Sequence, residues 1–429
     1  MMKRKLGLVA AATAALVVLA GCSATPPADE GGKDITLWVM GGDTPDALRD
    51  YLKTEYASAT GGTLTIEQQD WSDALSKLTT ALPDPENTPD VVEIGNTWSP
   101  TFTSVGAFSD ITDLVPELGG DKLLPSFVEI GKVDGANYAL PYYFGSRYMF
   151  YRKDVWAAAG LEVPTTLSEF SAAAAKLKTD TQSGFYIGGE DWRNGISWIF
   201  ANGGDLAKKD GDTWKSTLSD PKTIAGLEQL QALYADASLA PVTEADSTPW
   251  VNINNNVATG APEDATIIAP GWAHWSIGDL APDPKDDTKT VATWNDDVFG
   301  TFVLPGVDGG AAPVFAGGSN IAISAASKNQ SASRELMKII FSADYQKMLG
   351  QNGLGPANLD YADSLGDDQF AKALVASAAD SKLTPAAPGW AAVEGSGLLE
   401  EFFGKVNGGG DIKALAAEYD TKIDALING

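Results

Sequence analysis

Asp34-Ile35-Thr36-Leu37-Trp38-Val39-Met40 alternates in polarity, is rich in β-branched residues and runs into Gly41-Gly42-Asp43, so it reads as a buried strand opening into a loop. Working outward, Asp43 or Thr44 caps a helix that carries Leu48, Leu52 and Tyr56 at helical spacing and stops at Gly61-Gly62. Leu64 to Gln68 forms the next strand, Asp73 to Leu82 a second helix, and Asp90-Val91-Val92-Glu93-Ile94 a third strand. Strand, helix, strand, helix, strand within about sixty residues predicts an α/β fold with a parallel sheet and helices on both faces. Further along, helices are expected at 167–178, 223–235, 332–349 and 412–426, and strands at 265–269, 301–304 and 321–323. Pro262-Glu263-Asp264 and Pro282 to Asp287 carry turn formers and charge and read as surface loops.

The chain has 429 residues, more than one core usually organises, which predicts two lobes. With 57 acidic against 30 basic side chains, its formal charge is −27. That balance excludes gripping a nucleic-acid backbone as the main task, and it disfavours an electrostatic hold on anionic lipids. It suits a solvated body kept dispersed by self-repulsion.

Lys3-Arg4-Lys5 precedes an apolar run, Leu6 to Leu19, that is shorter than a membrane-spanning helix needs and closes on Leu19-Ala20-Gly21-Cys22. The closing residues resemble a bacterial lipobox, with small residues for the signal peptidase and the Cys22 thiol as acceptor of a diacylglycerol. Cys22 is the only cysteine, so no intramolecular disulfide is possible. Residues 1–21 are therefore expected to be a lipoprotein signal peptide and residues 22–33 a flexible tether too poor in apolar side chains to order itself. This predicts a location on the outer face of the cell membrane, held by lipid.

Of twelve tryptophans, Trp71, Trp98, Trp192, Trp272, Trp275 and Trp390 stand beside Gly, Pro, Asn or Asp in expected loops. An exposed indole offers a flat apolar face and one N–H donor, which suits the CH-rich face of a pyranose while neighbouring polar groups bond its hydroxyls. Any single loop tryptophan can equally seal a core edge; as a set they point to a carbohydrate cleft. Catalytic readings have less behind them. His274 is the only histidine and has no nucleophile or metal-ligand spacing around it; no HExxH, Walker loop or dinucleotide fingerprint occurs. No cofactor or metal is expected, and the chain reads as a non-enzyme.

Several short motifs then follow in order: Ile35-Thr36-Leu37-Trp38, Pro89 to Ile94, Val133 to Pro141, Phe150-Tyr151-Arg152-Lys153-Asp154, Asn202-Gly203-Gly204-Asp205-Leu206, Ala269-Pro270-Gly271-Trp272 and Gly317-Gly318-Ser319-Asn320. In this sequence they resemble the maltose-binding-like extracellular solute-binding lipoproteins of carbohydrate ABC importers. One departure is Thr259 to Thr266, where that family usually has a Gly followed at once by small residues and Met. The resemblance implies a two-lobed periplasmic-binding-protein-like fold of type II, with ligand between lobes joined by a multi-segment hinge. It implies an N-lobe from 34–143 plus 300–343 and a C-lobe from 144–299 plus 344–429. The crossings would fall near 143–146, 298–301 and 341–345.

Carried over residue by residue, the resemblance implies that Trp272 and Trp390 stack on sugar, that Gly42, Asp43, Trp71, Asn96 and Trp98 occupy contact loops, and that Gly317, Gly318, Ser319 and Asn320 present donors. Arg147, just past the first crossing, would bond hydroxyls or pin the hinge. The expected ligand is a neutral di- or oligosaccharide, chitobiose-type or maltose-type, with Asn96, Asn202 and Asn320 as donors for an N-acetyl group. The expected partners are that sugar and ABC permease subunits, with one anchored copy acting as a monomer. A binding protein for another solute such as a polyol, or a secreted lipoprotein glycosidase, are the competing readings.

Overall fold

The computed structural model describes Asp29 and residues 31–245, 249–284 and 286–429. The expected signal peptide and Cys22 lie outside the described residues. Nine strands build two principal sheets: β1 Ile35–Met40, β2 Leu64–Gln69, β3 Val91–Gly95, β4 Ala139–Phe144, β5 Arg147–Arg152, β6 Thr266–Pro270, β7 Phe299–Phe302, β8 Gly318–Ile323 and β9 Gly355–Pro356.

The first sheet runs β9-β4-β8-β3-β1-β2. β1 is parallel to β2 and β3, as the local pattern predicts, with Ile35 opposite Leu64 and Leu37 opposite Val91. The sheet as a whole is mixed, because β8 is antiparallel to β3 and β4, and β9 is antiparallel to β4. The reason is topological: β8 re-enters from the second body and must run the opposite way. Its core holds Leu37, Val39, Leu48, Leu52, Tyr56, Val91, Ile321, Leu336 and Tyr345. Each fully buried leucine contributes about 2 kcal/mol relative to exposure. The second sheet, β6-β5-β7, is antiparallel throughout. Around it pack the helices Leu167–Leu177, Trp192–Ala201, Pro221–Ala237, Leu398–Asn407 and Ile412–Asp424, which bury Phe170, Trp198, Leu230, Phe402 and Tyr419.

Local chemistry explains several element ends. Asp70 opens the helix Trp71–Ala81 by accepting from Ser72 N–H, and Gly61 ends the helix Asp46–Thr60 in the left-handed region at φ +72°. The expected cap at that helix's start differs: Pro45 is the N-cap and makes no side-chain bond. Asp43 and Thr44 are used elsewhere, Thr44 Oγ1 lying 3.0 Å from Tyr142 Oη. The single helix expected over 332–349 breaks at Phe341–Ser342, where Ser342 caps a new helix, Ala343–Gln351, through Tyr345 N–H. The loop expected at Pro282–Asp287 belongs to a hairpin, Asp279–Asp283 with Asp286–Thr293.

Two of the three crossings between bodies differ from their expected positions. The first lies between β4 and β5, at Gly145–Ser146. The second lies later than 298–301, because β7 pairs with β5 and Leu304, Val314 and Phe315 still pack in the second core; Gly317 carbonyl then accepts from Gly145 N–H at 2.9 Å. The third lies beyond Asn358 rather than at 341–345, because Tyr345, Leu349 and Ala357 pack in the first core and β9 joins the first sheet.

Candidate ligand cleft

β1, β2 and β3 run the same way, so the loops that follow them gather at one edge of the first sheet, facing the second body. Trp71 is the first residue of its helix. Its Nε1–H donates to Asp43 Oδ2 at 3.2 Å, and its ring meets Trp98 edge-on at 5.7 Å between centroids. Gly41 and Gly95 make room for that indole: a Cβ on Gly41 would stand 2.6 Å from Trp71, and one on Gly95 would stand 3.2 Å away. Both tryptophan rings stay partly exposed and Gly42 is open to solvent.

On the facing side, Trp272 opens a 3-10 turn, Gly271–Ser276, that follows β6. Its ring lies over the two crossing segments: a Cβ on Gly145 would stand 2.8 Å from it and one on Gly317 would stand 3.6 Å away. Arg147 is buried; its Nε–H donates to Asn194 Oδ1 at 2.7 Å and its guanidinium lies 4.9 Å from the Phe315 ring centroid. Asn194 is held by Asp191, the cap of its own helix. Arg147 is thereby fixed within the second body, next to the first crossing. Across the gap, Thr101 Oγ1–H donates to Pro388 carbonyl at 2.8 Å and accepts from Ala391 N–H at 3.2 Å, joining the two bodies.

A polar cluster lies under the first body's loops. Tyr143 Oη stands 2.9 Å from Asp43 Oδ2, 2.9 Å from Glu93 Oε1 and 3.2 Å from Ser319 Oγ. Glu93 Oε2 accepts from Met40 N–H at 2.9 Å. Glu93 is fully buried, and burial, reinforced by the charge of Asp43, pushes its carboxyl up to about 8. Burial also raises Asp43 above the usual carboxylate range, against the lowering effect of its bonds from Tyr143 and Trp71.

Gly42, Asp43, Trp71 and Trp98 thus gather after the strands of the first sheet, Trp272 lies over the crossings, Arg147 is buried in the second body, and Gly318 has a φ of +138° and a closeness to Tyr143 carbonyl that exclude a side chain. Four expected contacts are placed otherwise. Asn96 is buried, its amide donating to Ala316 carbonyl at 3.0 Å, so it ties loops together. Ser319 turns its hydroxyl inward to Tyr143. Asn320, one residue on and so on the opposite face of β8, is fully buried and donates to Phe127 carbonyl. Trp390, expected to stack on sugar, is fully buried in the second core as the first residue of the helix Trp390–Gly395.

Trp192 is likewise a core ring at a helix start, its Nε1–H donating to Glu400 at 3.0 Å. Asn202 donates to Trp198 carbonyl and Gln229, closing its helix rather than facing the gap. Glu93 and Tyr143 were not anticipated. Their signal was available: Glu93 is the one charge between Val91-Val92 and Ile94 in a strand whose every residue is buried. Among the described residues no group of three His, Cys, Asp or Glu could hold a metal, and no helix is long and apolar enough to cross a membrane.

Two α/β bodies, each with its own core and joined by several crossings, are the architecture of a two-lobed binding protein of the periplasmic type. Residues 52–379 match the model of the bacterial extracellular solute-binding proteins, and the chain belongs to that family. It is 32% identical over 407 residues to the diacetylchitobiose binding protein DasA of Streptomyces coelicolor, covering 92% of this chain and 91% of that protein. Its fold is similar to the sugar-binding protein MalE of Xanthomonas citri (TM-score 0.76, 21% identity, 92% of this chain and 97% of that one). It is also similar to the GacH receptor of Streptomyces glaucescens, solved unliganded and with acarbose (TM-score 0.73, 22% identity, 92% and 98%).

Proposed function

We propose that this protein captures a neutral oligosaccharide of the di-N-acetylchitobiose class between its lobes and delivers it to an ABC permease. The observation that carries this reading is the likeness to DasA over 92% of the chain, joined to the partly exposed Trp71–Trp98 pair on the first body and to Trp272 over the Gly145 and Gly317 crossings. Stacking would desolvate the apolar faces of the sugar, while Asp43 and the backbone around Gly42 and Gly318 bond its hydroxyls and amide. Closure about the Gly145 and Gly317 crossings would complete the site, and Arg147, locked to Asn194, would keep the hinge wall rigid. Affinity of about micromolar or better corresponds to about 8 kcal/mol.

The chain would act without chemistry on the sugar, as a monomer held outside the cell by a diacylglycerol on Cys22 after loss of residues 1–21. Loss of Lys3, Arg4 and Lys5 would leave 27 basic against 57 acidic side chains.

The test is titration calorimetry and thermal shift on the chain from Ser23 onward with di-N-acetylchitobiose, maltose, cellobiose, xylobiose and mannitol. At millimolar ligand over a micromolar site, binding to the folded state adds about 4 kcal/mol. A response confined to di-N-acetylchitobiose or its oligomers is expected. Response to mannitol alone would replace the sugar reading by the polyol one, and release of monosaccharide would replace it by the glycosidase one. Lipid labelling of wild type, lost in Cys22→Ser, checks the anchor.

A further inference from the structure

Tyr143 has one hydroxyl hydrogen and three oxygen neighbours, of which two belong to carboxyl groups. If Asp43 and Glu93 were both ionised, the phenol could serve only one, and the other would face an oxygen lone pair at 2.9 Å without any hydrogen between them. The one other hydroxyl, that of Ser319, has a single hydrogen for Tyr143 and Glu93 together, so every contact of the cluster is filled only when one of the two acids carries a proton. Asp43 is partly exposed and receives a second donor from Trp71 Nε1–H, so the negative charge belongs there. Glu93 is fully buried, and its two oxygens have the partners a neutral acid needs: Oε2 accepts from Met40 N–H, and Oε1 faces the phenol oxygen.

We propose that Glu93 is kept as a neutral carboxylic acid and acts as a positioning residue for ligand, its Oε1–H donating to Tyr143, Tyr143 donating to Asp43, and Asp43 orienting the Trp71 indole. This rests on the reading of Trp71 as a ligand-stacking ring. Tyr142 and Tyr345 lie near enough for their phenols to feel the Glu93 charge, with Arg49 the nearby cation. Ser319 presents a hydroxyl from β8. The rise of the Glu93 carboxyl to about 8, from burial first and Asp43 second, agrees with the hydrogen count. Ionising Glu93 removes the hydrogen between it and Tyr143 and sets two carboxylates on one phenol. Asp43 is the exposed member, so it is the one displaced, and Trp71 moves with it.

The experiment is a titration of the ligand-free chain from about pH 7 to about pH 9.5, read by the indole 1H–15N resonance of Trp71 and the side-chain carboxyl 13C resonance of Glu93. Both should move with one midpoint near 8 in wild type. In Glu93→Gln, a neutral isostere, the Trp71 resonance should be flat over that range. In Tyr143→Phe, the Trp71 profile should no longer follow Glu93. The affinity for di-N-acetylchitobiose should fall about fivefold over the range in wild type and stay constant in Glu93→Gln.

A Glu93 carboxyl already ionised at about pH 7, or a Trp71 profile identical in wild type and Glu93→Gln, overturns the proposal. The 13C measurement needs no variant and so decides even if the substitutions fail to fold. A coupled Trp71–Glu93 titration in a protein that ignores the sugar would overturn the ligand reading and leave the proton assignment standing.

Discussion

The two bodies each bury a carboxyl group held near the same range, and they do so in opposite ways. In the first body, both oxygens of Glu93 have partners, and the chain of contacts runs out to a tryptophan on the cleft. In the second body, Asp264 is 1% exposed beside Ser183; its Oδ2 has no partner, and burial pushes it up to about 8. A buried acid with wired oxygens can transmit its state; one with an orphan oxygen only costs stability.

The largest test of this contrast is removal of each acid. Glu93→Leu leaves Met40 N–H without its acceptor and strips one of three oxygens from around the Tyr143 hydroxyl, and should destabilise the fold by about 3 kcal/mol in urea unfolding. Asp264→Asn should be neutral or stabilising at about pH 8, since it removes a group whose charged form is disfavoured there. Equal losses in both variants would break the comparison.

The next effect is on pH dependence. Both groups bind their protons more tightly folded than unfolded, where ordinary values are 4.5 for Glu and 3.8 for Asp. Their contribution to stability is complete below those values and declines as pH rises, until it is lost above about 8. Melting temperature should therefore fall from about pH 5 to about pH 8, and Glu93→Gln or Asp264→Asn should each flatten part of that fall.

Ligand binding should separate the two sites further. Trp71→Ala should weaken sugar binding about tenfold, or about 1.4 kcal/mol, in calorimetry, while Asp264→Asn leaves affinity unchanged. The smallest effect is expected at the hinge. Gly145→Ala would set a methyl 2.8 Å from the Trp272 ring, so that ring must tilt. Affinity should drop by about 0.5–1 kcal/mol with little change in melting.

How much of this was legible in the residues follows from the range of each interaction. The β1–β2–β3 unit was readable because strand alternation, helix spacing and Gly61 are local signals. The antiparallel β6-β5-β7 sheet was not, because β5 pairs with residues more than a hundred positions away and nothing local encodes that partner. At the cleft, Asp43, Trp71 and Trp98 were visible as loop residues after strands. Trp192 and Trp390 were misread because each follows a helix cap, Asp191 and Gly389, and cap residues have the composition of a loop. Ser319 and Asn320 look alike as donors, yet strand alternation and packing from both faces bury both. The Glu93–Tyr143 pair joins positions fifty residues apart, so a lone charge in an apolar strand was the only trace of it.

The uneven placement of the tryptophans has an optical consequence. Trp156, Trp192, Trp198 and Trp390 are sealed in the second body, whereas Trp71, Trp98 and Trp272 share the gap between the bodies and keep partial access to water. The sealed indoles form a short-wavelength emission background, and the other three would change polarity if ligand fills the gap as proposed. On the proposed reading, the protein would carry its own fluorescent readout of occupancy, and the Trp71 indole, bonded to Asp43, would report movement of that loop.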